Sequence, residues 1–240
     1  MIKFFRKIRY DLMEKNKTGN YLKYAIGEII LVMIGILLAL QINNWNEKRL
    51  QNQSLKNIYT IIAEDLKNDI TDINVILKNK KEIEPVFNKI LDGLMTKENY
   101  NNCDGCQWLI IGGPDLTIEK RGYNLLNNFD TSKIKTDSLT IKIVQFYTKQ
   151  LTDLNVDLNL RSSDIAKNVN DWKDNYEWYS DYITDRNIDG FIEYAINNHD
   201  YVNRTANYYM LNYTIYIPKL EAFNSEAQDI LKQLEEKIKQ

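Results

Sequence analysis

Histidine occurs once in this chain, at His199, and cysteine twice, at Cys103 and Cys106. A single histidine, with no G-x-S-x-G and no Cys-His setting, argues against the standard nucleophilic hydrolases. Glycine is scarce at nine residues, and none falls into a P-loop or a dinucleotide-binding fingerprint. Proline is scarcer, at three. With so few breakers and long apolar periodicity, helices are favoured over sheets. Excess basic charge is lacking too: the net charge is −2. No internal repeat is present. Many carboxylates occur, but their sequence surroundings single none of them out, so no enzyme is expected.

One long hydrophobic run stands against these scarcities. Tyr24 to Ile42 reads YAIGEIILVMIGILLALQI, with Glu28 as its one charge. About 19 residues at a helical rise of 1.5 Å span roughly 28 Å, close to the hydrocarbon thickness of a bilayer. The run is too long for a signal peptide and is followed by no A-x-A cleavage pattern. Tyr21, Tyr24 and Trp45 stand where interfacial aromatic belts occur. Residues 1–23 hold seven Lys or Arg against Asp11 and Glu14, whereas residues 44–240 hold 24 basic and 30 acidic residues. The positive-inside rule puts the N-terminus in the cytoplasm and residues 44–240 across the membrane. The expected organisation is a cytoplasmic basic segment over 1–23, a transmembrane helix over 24–43 and an extramembrane domain over 44–240. A mildly acidic outer domain is unlike a nucleic-acid binder.

The stretches MIKFFRKIR and KYAIGEIILVMIGILLALQINNWNE resemble the N-terminal signature of a family of uncharacterised single-pass membrane proteins common in flavobacteria. That family carries only a domain-of-unknown-function label. The likeness covers residues 1–47 closely. It is looser over about 116–160, where LTIEKRGYNLLNNF and IVQFYTKQL fall, and does not reach the last 80 residues. It implies an inner-membrane anchor with a periplasmic domain, and no activity.

Along the chain, Ile2, Phe5, Ile8, Leu12 and Met13 share a helical face, either as an interfacial helix or as a plain topogenic tail. Lys17 to Asn20 reads as a turn. Ile58, Ile62, Leu66, Ile70, Ile73 and Leu77 form an apolar stripe at helical spacing, with a kink or boundary expected at Glu84-Pro85. Residues 96–123 read as a loop, with a short strand pair around Trp108–Ile111. A short helix over 119–129 should turn Leu125, Leu126 and Phe129 inward. Thr136-Asp-Ser138 suits the cap of a helix carrying Leu139, Ile143, Tyr147, Leu151, Leu154 and Leu158. Helices follow over 163–183 and from Phe191 onward, with a break or kink at Pro218. The fold class is all-α: a membrane helix, then a helical bundle with one irregular cysteine-containing loop.

Candidate sites are few. Cys103-Asp-Gly-Cys106 suits a disulfide-stapled turn outside the cytoplasm, or else a redox pair, a metal site or free thiols. Asp185, Asn187, Asp189 and Glu193 match the first half of a calcium loop, but Ile196 stands where a bidentate Glu belongs. Plain helix–loop–helix turn chemistry gives the same residues. Tyr194, Tyr201 and Tyr208 recur every seven residues and read as core or partner interface before ligand platform. Glu28 is either a proton-coupling carboxylate or a snorkelling one. Gly35 and Ala39 form a small-xxx-small pair that suits self-association. The expected partners are the lipid bilayer and another envelope protein or a second copy. Three roles follow: a periplasmic interaction module such as a scaffold, sensor or assembly factor; a subunit of an energised complex working through Glu28; or a thiol-disulfide enzyme.

Overall fold

A computed structural model describes residues 10, 18–113, 116–130 and 137–239. The face expected over residues 1–13, Ile2, Phe5, Ile8, Leu12 and Met13, lies outside them, as does Thr136. The described residues form helices and turns, with no strand among them. Contacts divide the chain into two units, one holding the residues up to Ser54 and the other beginning at Leu55.

Helix α1 runs Thr18–Leu91, starting where a turn was expected. In the first unit its apolar run is wholly unburied. Every large apolar side chain from Ile29 to Leu40 is at least 49 % exposed.

The second unit takes up the later part of α1. Short helix α2 (Lys97–Asn101) is followed by a 3-10 turn over Cys106–Trp108, then α3 (Arg121–Asn127) and α4 (Ser138–Asn175). Helices α5 (Tyr179–Ile183), α6 (Asp189–Asn197) and α7 (His199–Tyr209) lead through a π-helical turn, Met210–Tyr216, into α8 (Ile217–Lys239).

Two apolar cores lie in this unit. The first joins Ile58, Ile62, Leu66 and Ile73 of α1 to Leu139, Ile143, Phe146, Tyr147 and Leu154 of α4. Leu220, Phe223, Ala227, Ile230 and Leu234 of α8 complete it, stepping by three and four so that one stripe faces inward. Helix α4 starts where its cap is: the Asp137 carboxylate accepts from the Thr140 N–H at 2.9 Å and from the Tyr59 hydroxyl at 3.0 Å.

The second core is aromatic. Trp172 from the end of α4 is fully buried, with Tyr182, Phe191, Tyr194 and Tyr201 packed around it at ring separations between 5.9 and 6.4 Å. Phe87 and Ile90 of α1 reach the same core.

Four expectations need correcting. Helix α1 does not end at Pro85. A proline inside a helix costs about 3 kcal/mol, and here the residues on both sides are locked into cores, Ile76 into the first and Phe87 and Ile90 into the second. Trp108–Ile111 forms a 3-10 turn and its continuation rather than a strand pair. Leu125 is exposed, because successive residues on a helix point to different sides and Leu126 takes the core position. Pro218 does not break the final helix. It lacks the N–H that the Thr214 carbonyl would use, and the chain widens into the π turn just ahead of it.

Candidate functional site

The face of α1 that carries Ile76, Lys80, Ile83 and Phe87 looks onto a cavity of about 410 Å³. These positions step by four, three and four, so they share one side of the helix. Gly105, Trp108, Leu109, Gly112 and Gly113 line it too, together with Tyr208 of α7. Tyr208 is stacked on Phe87 at 5.5 Å and donates its hydroxyl proton to the Gly112 carbonyl at 3.1 Å.

Lys80 and Glu82 are the charged residues lining this cavity, and Lys80 is buried. Its ammonium donates to the Tyr208 hydroxyl at 3.1 Å and to Asn212 Oδ1 at 3.2 Å. Asn212 lies on the π turn, held by its own amide donating to the Tyr208 carbonyl at 2.9 Å. A wider turn of this kind often marks a functional position. Gly113 has φ of +130°, and a Cβ there would stand 3.8 Å from both Lys80 Nζ and the Tyr208 hydroxyl. That backbone conformation favours glycine.

A second polar cluster ties residues 119–122 to α1. Asp65 Oδ1 accepts from Arg121 Nε and Nη2 at 3.0 and 2.7 Å, and its other oxygen accepts from the Gly122 N–H at 2.8 Å. Asp65 therefore caps α3 from another helix, since Lys120 offers no side-chain cap. Asp69, one turn on, accepts from the Glu119 N–H at 3.0 Å. Burial pushes the Asp69 carboxyl up to about 7; the Glu119 hydrogen bond pulls the other way, and Asp65, Glu119 and Asp72 add to the rise. Gly122 passes so close to α1 that a Cβ would lie 2.5 Å from Ile62 Cγ1 and 2.7 Å from the Ile62 nitrogen.

Cys103 and Cys106 stand at disulfide distance, with Cα atoms 5.5 Å apart and Gly105 between them at φ +77°. Cys106 is fully buried in the second core, below the turn that supplies Trp108 to the cavity wall. The Tyr182 hydroxyl donates to the Gln107 carbonyl at 2.7 Å, fixing that turn.

In the calcium-like loop, Asn187 Oδ1 accepts from the Asp189 N–H at 2.9 Å, Asp189 pairs with Lys97 at 2.9 Å, and Glu193 accepts from Asn197. Asp185 has φ of +54°, a turn conformation. No group of three His, Cys, Asp or Glu is placed to hold a metal ion among the described residues. Tyr194, Tyr201 and Tyr208 are core side chains. They do not share one helix, because Asn198 separates α6 from α7 and caps the latter. The Tyr194 hydroxyl accepts from Trp172 Nε1 and donates to Asp200 at 2.6 Å. Gly35 has open space around it, and Glu28 lies on the same apolar part of α1.

Sequence reasoning did not single out Lys80, Asn212, Asp65 or Asp69. A signal existed for three of them. Asp65 and Asp69 flank Leu66 on the core stripe, and Lys80 falls four after Ile76 and seven before Phe87, on an apolar face. Asn212 gave none, since the π turn that carries it is a tertiary outcome.

Fold and site together define an all-helical protein whose N-terminal helix is long and apolar enough to cross a membrane, followed by a domain with two cores. The chain belongs to DUF6090, a family of unknown function, which it matches over residues 28–171. The matched region takes in most of the apolar run, the buried pair Asp65 and Asp69, and the segment they bind. No match was found among curated proteins or among solved structures.

Proposed function

We propose that this protein is a single-pass membrane protein whose helical domain acts as an interaction module outside the cytoplasm. The bare apolar run of α1 is the observation that carries this reading. Ile29, Leu31, Val32, Leu37 and their neighbours are about half-exposed or more. Each such side chain costs roughly 1.5–3 kcal/mol to leave in water. A run of them exceeds the whole stability of a typical domain, about 5–15 kcal/mol. Lipid removes that cost, and a helix satisfies its own backbone there. The basic residues ahead of the run set the orientation. The cysteine pair suits an oxidising compartment, where it acts as a staple for the 3-10 turn.

An interaction role is supported by Val156 and Leu160, which stand one turn apart on α4 and are 53 % and 51 % exposed. Apolar pairs on a helical surface suit contact with another helix. A photo-crosslinking residue at position 156 of the full-length chain in cells should give one discrete adduct. The same probe at exposed Lys232 of α8 should not. Equal smears at both positions, or none at 156, contradict the interaction role.

A further inference from the structure

We infer that a buried polar layer divides the helical domain into two halves, and that the half built on the second core opens and closes as one unit while the first stays folded. This goes beyond the membrane and interaction reading and does not depend on it. Among the described residues, three helical passages carry the chain between the cores, and each places buried polar side chains at the crossing. On α1 the first core reaches Ile76 and the second begins at Ile83, with Lys80 between them. On α4 Leu154 belongs to the first core and Ile165 to the second, with Asp157 and Arg161 between. On the return, Tyr208 belongs to the second core and Tyr216 to the first, with Asn212 between.

These groups are tied to their neighbours by polar contacts. Lys80 donates to Asn212 Oδ1, Lys219 of α8 donates to Asp157 Oδ1 at 2.7 Å, and the Arg161 guanidinium lies 4.0 Å over the Tyr216 ring. Water replaces hydrogen bonds when such a layer parts, so it holds two halves together less firmly than the same area of apolar packing. Two helix defects fall at the same level. Pro85 removes the N–H that the Lys81 carbonyl would use, and the π turn, Met210–Tyr216, carries Asn212 itself. Helices bend at such places. The second half is assembled from short helices: α2, α5, α6 and α7 have 5, 5, 9 and 11 residues. Helices of that length do not stand alone, so they form and open together through their shared core.

Hydrogen exchange of the full-length chain in lipid nanodiscs, read by mass spectrometry where the rate reports the opening equilibrium, tests this. Ile192 is fully buried in the second core, and Ile192→Val trims one methylene there. It should speed exchange about two- to tenfold in residues 191–195, in 201–208 and in 87–90 at the far end of α1. Residues 58–66 of the same helix and 223–230 of α8 should be unchanged. That step within one continuous helix is what simple fraying of α6 would not give. Making the layer apolar with Lys80→Met and Asn212→Leu should join the halves, so that adding Ile192→Val then speeds both alike. Circular dichroism melts identify a double variant that fails to fold, in which case Ile192→Val in the parent alone decides. Acceleration that reaches both halves of the parent, that stops within α6 or that is absent overturns the inference, as do halves that stay separate in a folded double variant.

Discussion

At the scale of single residues, the tightest constraint lies where α3 meets α1. Gly122 has no room for a methyl group, because the Ile62 backbone itself, not a yielding side-chain tip, stands in the way. Gly122→Ala should therefore destabilise the domain by about 1–3 kcal/mol, read as a lower denaturant midpoint at unchanged slope. Asp69 makes a different demand. Its carboxyl is raised to about 7 in the folded chain against an ordinary 3.8, so the folded state holds the proton more tightly. Its contribution to stability is whole below about 4 and is lost as pH rises through about 7. The loss is at most about 1.4 kcal/mol per pH unit. Asp69→Asn keeps an acceptor for the Glu119 N–H and carries no titration. Chemical denaturation of that variant between pH 5 and 8 should show a flatter profile than the parent; an unchanged slope would assign the pH dependence elsewhere. Asp137 and Asp200 have the opposite sense. Burial alone would raise both, but hydrogen bonds from Thr140 and Tyr59 to the first, and from Arg204 and Tyr194 to the second, bring them below the usual range. Their contribution is present above that range and is lost on acidification.

At the scale of elements, periodic apolar stripes carried over from sequence to structure, while tertiary choices did not. Ile58 through Leu77 of α1 and Leu139 through Leu154 of α4 face the first core as their spacing demands. Local chemistry sufficed there, as it did for Asp137 at the start of α4. Pro85 makes no boundary, because its cost is local whereas its compensation comes from elsewhere. Tyr213 donates to the Lys80 carbonyl at 2.9 Å, and Tyr209 donates to Glu84 at 2.8 Å, bracing the helix around the proline from the far end of the chain. Tyr213→Phe removes one such brace and should cost about 1 kcal/mol, measured by thermal or denaturant unfolding. No loss would mean that the two cores alone carry α1 through the proline. The heptad of Tyr194, Tyr201 and Tyr208 failed as a single-helix pattern for a similar reason: Asn198 caps a new helix between the first two rings. All three rings are buried, but periodicity said nothing of the break. The cavity was illegible because its walls come from segments far apart in sequence.

At the scale of the whole molecule, composition was the more informative level. The scarcity of breakers matches an all-helical chain, and one apolar run marks the helix suited to a bilayer. The proposed residence, N-terminus inside and residues 44–240 outside, makes the domain reachable from one side of the membrane only. The most direct measurement is proteolysis of intact spheroplasts expressing the full chain, followed with an antibody to the last helix. The account predicts that added protease removes the C-terminal epitope while a cytoplasmic marker survives, and that the undigested protein stays with the membrane through an alkaline carbonate wash. An epitope that survives until the spheroplasts are lysed, or a chain released by the wash, would contradict it.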